Sequence, residues 1–165
     1  MNIIQNLQQL ALEIITTAKE KGYTLSIAES CTGGLISHLL TNIDGSSSVV
    51  KVGVVSYSKQ SKIELLNIPE EIFSSNRVVS EQVVKSMAIG VKNILNTDFA
   101  VATTGVAGEV CDEEGTSPGT VWISCASKNS ITAKQFAFTG DRKTIKNLTA
   151  YQLFTVLLQQ INTGI

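Results

Sequence analysis

Thr24-Leu25-Ser26-Ile27-Ala28-Glu29-Ser30-Cys31-Thr32-Gly33-Gly34 decides how the rest of the sequence is read. The run over 24–28 is short and apolar enough for a buried strand. It passes directly into polar and glycine residues, after which apolar residues resume at helical spacing, so a helix is expected over about 33–41. A strand that feeds straight into a helix is the repeating unit of α/β architecture.

Working outward from this segment gives the same alternation. Ile3, Leu7, Leu10, Ile14 and Ala18 mark an amphipathic helix over 3–21, with Gly22 where a C-terminal cap belongs. Downstream, Asp44-Gly45-Ser46-Ser47-Ser48 is a turn, and Val49 to Tyr57 reads as a buried strand. Simple alternation puts Val50, Val52 and Val54 on one face of it and Val55 and Tyr57 on the other. A helix over 59–66 is ended by Asn67 and Pro69, and Ser80 caps a fourth helix carrying Val83, Val84, Met87, Val91, Ile94 and Leu95. A strand over 98–103 leads into a glycine-bearing loop, strands follow at 119–126 and 131–138, and Asp141 caps a last helix to about 160. The two closely spaced strands imply an antiparallel hairpin. The expected fold is therefore α/β, a three-layer α/β/α sandwich with a mixed sheet, in one domain spanning 1–165.

Composition narrows the function. The chain has 165 residues, 43% apolar and 16% charged, with a net charge of −1, so no broad electrostatic case exists for nucleic acid or an anionic membrane. Cys31, Cys111 and Cys125 form no CxxC pair, which argues against a disulfide scaffold or structural zinc. Met1 to Asn6 lacks the features of a secretory leader, and no apolar run approaches the ~20 residues of a membrane span. A cytoplasmic protein is expected.

Three segments can carry chemistry. Ser30 sits at the carboxyl end of a strand, where open α/β sheets bind ligands, beside a helix start whose N–H groups suit an anion or a developing oxyanion. The amides of Cys31, Thr32, Gly33 and Gly34 are the candidates; the alternative is that Ser30 or Thr32 only caps the helix. A phosphate-binding Walker loop is excluded, because Leu35 follows Gly34 and no lysine is present there. A histidine-activated Ser30 or Cys31 is also excluded. The single histidine, His38, lies roughly 10 Å along the helix from Cys31. The base must then be another group. Tyr57 and Lys62 fall at the same sheet edge and are candidates for the same crevice; as alternatives they are a rim tyrosine and a surface lysine. The second segment is Thr103-Thr104-Gly105-Val106-Ala107-Gly108, a loop suited to a phosphate or oxyanion at Thr104, Gly105, Ala107 and Gly108, or simply a tight turn. In the third, Gly140-Asp141-Arg142-Lys143, Arg142 is placed to hold a phosphate. Glu109, Asp112, Glu113 and Glu114 lack a metal-ligand spacing and read as a solvated loop.

These segments occur in a familiar order. Ala28-Glu29-Ser30-Cys31-Thr32-Gly33-Gly34-Leu35, Gly45-Ser46-Ser47, Tyr57-Ser58 with Lys62, Val79-Ser80-Glu81, Thr104-Gly105-Val106-Ala107-Gly108, Gly119-Thr120-Val121-Trp122 and Gly140-Asp141-Arg142 together resemble the CinA C-terminal domain family in its stand-alone form, the nicotinamide-nucleotide amidases (PncC). The likeness runs from about residue 5 to 160. It implies hydrolysis of the carboxamide of nicotinamide mononucleotide to nicotinate mononucleotide and ammonia, in pyridine nucleotide recycling. It implies Ser30 as nucleophile, Lys62 as catalytic lysine and Tyr57 as active-site tyrosine, and it implies no metal or cofactor. The substrate would be a small-molecule nucleotide, and the assembly a homodimer or higher homo-oligomer.

One stretch departs from the family. Glu109-Val110-Cys111-Asp112-Glu113-Glu114 stands where members carry a proline and then a glycine- and proline-rich loop, and Ser117-Pro118-Gly119-Thr120 lacks the usual valine. Carboxylates near a phosphate would repel it. That departure keeps two alternatives open: a non-catalytic nucleotide-binding regulator or inactive relative, and an amidase for a different amide substrate.

Overall fold

The computed structural model describes residues 3–164. The ends of the expected 1–165 domain, including the Met1-Asn2 part of the leader reading, lie outside the described residues. The elements run α1 (Ile3–Glu20), β1 (Leu25–Glu29), α2 (Leu35–Thr41), a 3-10 turn (Ser46–Ser48), β2 (Val50–Val55), α3 (Lys59–Leu66), α4 (Glu70–Ser75), α5 (Glu81–Leu95), β3 (Phe99–Gly105), β4 (Thr120–Ala126), β5 (Ile131–Ala137) and α6 (Arg142–Thr163). No helix among the described residues is long and apolar enough to cross a membrane.

The sheet order is β2-β1-β3-β4-β5. β1 pairs parallel with β2 and β3, while β4 is antiparallel to both β3 and β5, so the sheet is mixed. Helices cover both faces, giving the expected α/β/α sandwich. On one face Leu7, Ile14, Ile36, Leu40, Phe154 and Leu157 from α1, α2 and α6 pack over Leu25 and Ile27. On the other, Leu66, Phe73, Val84, Met87 and Val91 from α3, α4 and α5 pack over Ala28, Ala100 and Ala102. β1 is buried along its whole length, as a central strand between two helical layers must be. The three parallel strands end together, and that edge carries Ser30, Ser56 and the loop after Gly105.

Four local expectations need correction. α2 begins at Leu35 rather than 33, because Gly33 and Gly34 both hold positive φ (59° and 93°), a conformation a helix cannot include. Val49–Tyr57 is not a buried strand but an edge strand ending at Val55, with alternating half-burial. Val50 does not share a face with Val52 and Val54: the register shifts between Leu25↔Val50 and Ser26↔Val52, so Val50 joins the first cluster and the other two the second. A further short helix, α4, follows Pro69, whose φ of −57° is preset for helix entry and whose successors Glu70 and Glu71 suit a first turn.

Gly90, inside α5, looks like a propensity error until the packing is seen. A Cβ built there would stand 2.2 Å from the Leu66 carbonyl oxygen at the end of α3. The helix has no side chain there because the backbone of α3 occupies the space. Gly90→Ala gains about 1 kcal/mol of helix propensity but forces the two helices apart, at a cost of about 1–3 kcal/mol or more. Urea denaturation should find the variant less stable; equal or greater stability would contradict this packing.

Candidate active site

Ser30 follows the last residue of β1 and is 7% exposed. Its partner comes from α3. Ser58 caps that helix through a capping box, its Oγ accepting from the Ser61 amide at 3.0 Å while the Ser61 hydroxyl accepts from the Ser58 amide at 3.0 Å. Lys62 is one turn inside. Helical side chains lean toward the N-terminus, so Lys62 reaches back to the sheet edge. Its Nζ lies 3.0 Å from Ser30 Oγ and donates to the Ser56 carbonyl at 2.7 Å. Lys62 is completely buried, and burial lowers its pKa from 10.5 to about 8. No carboxylate forms an ion pair with it: among the described residues the one salt bridge is Lys85–Glu81. The arrangement is a serine hydroxyl beside an amine that gives up its proton close to neutral pH.

Ser56, which the sequence reading did not single out, joins β1 to β2 at this point. It is buried, and its amide and hydroxyl both donate to the Glu29 carbonyl, at 2.8 and 3.4 Å. Its own carbonyl is the acceptor that fixes Lys62.

The start of α2 is not an open anion site. The buried Glu29 carboxylate accepts from the amides of Gly34 (3.0 Å), Ile36 (3.1 Å) and Ser37 (2.8 Å) and from the Ser37 hydroxyl (2.7 Å). The Gly33 amide donates to the Ser30 carbonyl at 3.0 Å. Thr32 is buried with its hydroxyl 2.9 Å from that of Thr103. Neither Ser30 nor Thr32 caps the helix; Glu29 does. The expectation that Thr32, Gly33 and Gly34 line the substrate site is therefore corrected: these residues turn the chain, and the cavity is lined by Ser30 and Cys31 instead.

That cavity has a volume of about 580 Å³. Around Ser30 it is walled by Tyr57, Val78, Val79, Thr104 to Gly108, Asp112 to Glu114 and Arg142. Cys31 also faces it, but burial raises its thiol pKa to about 11, so it is no thiolate nucleophile. Thr104 Oγ1 donates to the Val78 carbonyl at 3.2 Å. Gly105 belongs to β3, where a Cβ would stand 2.7 Å from the Thr120 carbonyl, so its glycine is explained by strand contact. Among the described residues no protein oxygen accepts from the amides of Cys31, Ala107 or Gly108, and the Cys31 amide lies beside its own thiol.

Tyr57 and Arg142 meet across the cavity edge, with Arg142 Nη2 donating to the Tyr57 hydroxyl at 2.6 Å. Tyr57 is 58% exposed and makes no hydrogen bond to Ser30 or Lys62. Tyr57 therefore does not stand between them: serine and lysine touch directly, and the tyrosine is at the cavity rim. Asp141 caps α6, accepting from the Thr144 amide at 2.7 Å. His38 is exposed on α2, with Nε2 3.1 Å from Asn42 Nδ2. No three His, Cys, Asp or Glu residues come together as a metal site among the described residues. In the acidic loop Glu109, Glu113 and Glu114 are exposed, as expected, and Asp112 to Glu114 also line the cavity. What the sequence reading missed, Glu29, Ser56 and the Val78–Val79 wall, carries no motif of its own; a glutamate between a strand and a glycine turn was the available signal.

Comparison with known proteins places this geometry. The CinA C-terminal domain profile matches residues 7–161. A CinA-like protein from Geotalea uraniireducens is 37% identical over 143 residues, covering 87% of this chain and 34% of the relative. One from Fervidobacterium nodosum is 42% identical over 142 residues, covering 86% and 35%. The chain thus spans about a third of the length of these relatives. Among solved structures, a CinA superfamily protein from Klebsiella pneumoniae superposes with a TM-score of 0.91 at 27% identity, covering 95% of this chain and 98% of that one. A competence/damage inducible protein from Agrobacterium tumefaciens superposes with a TM-score of 0.89 at 33% identity, covering 95% and 96%. The chain belongs to the CinA C-terminal domain family.

Proposed function

We propose that the chain is a serine amidohydrolase that converts nicotinamide mononucleotide to nicotinate mononucleotide and ammonia. The observation that carries this reading is the buried Lys62 amine 3.0 Å from Ser30 Oγ, with its pKa lowered to about 8. Neutral Lys62 keeps one N–H on the Ser56 carbonyl and offers its lone pair to the Ser30 hydroxyl. It takes the serine proton as Oγ attacks the carboxamide carbon. The amides of Cys31, Ala107 and Gly108 are the donors for the oxyanion that forms. The ammonium of Lys62 then returns the proton to the departing nitrogen, and ammonia leaves a nicotinoyl ester on Ser30. Water, deprotonated by Lys62, cleaves the ester and frees the acid. Arg142 and Tyr57, at the cavity edge, are the groups for the phosphate end of the substrate.

Ammonia release from nicotinamide mononucleotide tests the reading, with nicotinamide riboside and glutamine as comparison substrates. Ser30→Ala should lose about four orders of magnitude or more in kcat, and Lys62→Ala about 10²–10⁴. Near-wild-type release by either variant would remove it from the mechanism.

The same lysine should reveal itself in stability. Its folded pKa (about 8) lies below its ordinary value of 10.5, so the folded state releases the proton first. Below pH 8 the fold carries a disfavoured charge, and that cost fades as pH rises through the window from 8 to 10.5. Lys62→Met should be inactive yet more stable than wild type at pH 7, by about 1–3 kcal/mol. The difference should shrink toward pH 10.5. A variant less stable at pH 7 would show that Lys62 is held for structure.

A further inference from the structure

The loop between Gly108 and Gly119 lies across the Ser30 cavity, and one side chain ties it there. Glu114 Oε2 accepts the Val78 amide at 2.7 Å. Among the described residues this is the single hydrogen bond that joins residues 109–116 to the rest of the chain. The anchor point is itself fixed, because the Val78 carbonyl accepts from Thr104 Oγ1 at the end of β3. The loop is also organised internally. Asp112 Oδ1 accepts from the amides of Glu114 (3.0 Å) and Thr116 (2.7 Å), and the Gly115 amide returns to the Asp112 carbonyl at 3.0 Å with Gly115 at φ 77°. Asp112 thus builds a turn that presents Glu114 to Val78.

From this network we infer that Glu114 is a positioning residue: it fastens the 109–117 loop as a wall of the Ser30 cavity, so that substrate is held under a closed loop. Two of the carboxylates that distinguish this loop are committed to peptide N–H groups. Their work is to shape and close the loop, and the charge they bring to the cavity is a consequence. A carboxylate that accepts a peptide N–H shifts a closing equilibrium by about tenfold. Apparent affinity falls with the fraction of molecules that are closed. Losing the tether should therefore act on substrate binding and leave the Ser30–Lys62 chemistry alone.

Glu114→Ala and Glu114→Gln separate the hydrogen bond from the charge, since the glutamine carbonyl can still accept from Val78. In the ligand-free protein, hydrogen exchange at the Val78 amide and across 109–117 should accelerate about threefold in Glu114→Ala and stay close to wild type in Glu114→Gln. With nicotinamide mononucleotide, Glu114→Ala should raise KM about threefold with kcat nearly unchanged, the factors in exchange and in KM multiplying to the tenfold shift in closing, and Glu114→Gln should restore KM. The kinetic arm rests on the amidase reading; the exchange arm does not. Absence of turnover by wild type would remove that reading while exchange still decides the tether. Wild-type exchange in Glu114→Ala, or a loss in kcat at unchanged KM, would overturn the assignment.

Discussion

A fully buried lysine amine with no carboxylate paired to it is the constraint on which this structure turns. Placing Lys62 inside the fold disfavours its charge, and only a neutral or nearly neutral amine is comfortable there. The surroundings are built for that state. The Ser56 carbonyl accepts one N–H, Ser30 supplies a hydroxyl, and nothing nearby offers a compensating negative charge in hydrogen-bonding reach. A buried Lys–Glu pair would have kept the amine protonated and useless as a base. The price in stability is the mark of a group kept for chemistry.

Several distant features serve that contact. The capping box at Ser58 fixes where α3 begins, and so which residue is one turn in. The bare backbone at Gly90 lets α5 lie against the other end of α3. Ser56 ties the end of β2 to the end of β1, which holds the lysine's acceptor in register with the serine. Glu29 does the corresponding task on the serine side. Its carboxylate satisfies the first amides of α2, so the turn carrying Ser30 is rigid without any help from a ligand. The same saturation removes that helix start as an anion site and leaves Cys31, Ala107 and Gly108 as the cavity-lining residues whose amides no protein oxygen takes among the described residues.

Much of the fold was legible in the sequence because periodicity and turn residues agree. The strand into Ser30, the long α5 and the β4–β5 hairpin each have one reading, and they yield the mixed sheet. Ser30 was visible as a residue at a strand end, and the lone His38 excluded the commonest partner. Other features were not legible because they depend on contacts between distant segments. A glutamate is not a standard N-cap, so no local pattern signals that Glu29 holds the start of α2. The bulge in β2 inverts Val50 relative to Val52 and leaves no trace in composition. Tyr57 was placed at the right sheet edge, but its partner at the rim, Arg142, is 85 positions away and no local pattern announces it. The loop after Gly108 read as a solvated acidic stretch because its anchor, the Val78 amide, is a backbone group that no side-chain pattern announces.

Direct titration of Lys62 tests the central claim most simply. In protein carrying isotope-labelled lysine, the Nζ resonance that disappears in Lys62→Met should titrate with a midpoint at about 8. A Lys62 midpoint at the ordinary 10.5 would leave almost no neutral amine beside Ser30 near neutral pH, and the account of a serine activated by the neutral fraction of a buried lysine would be wrong.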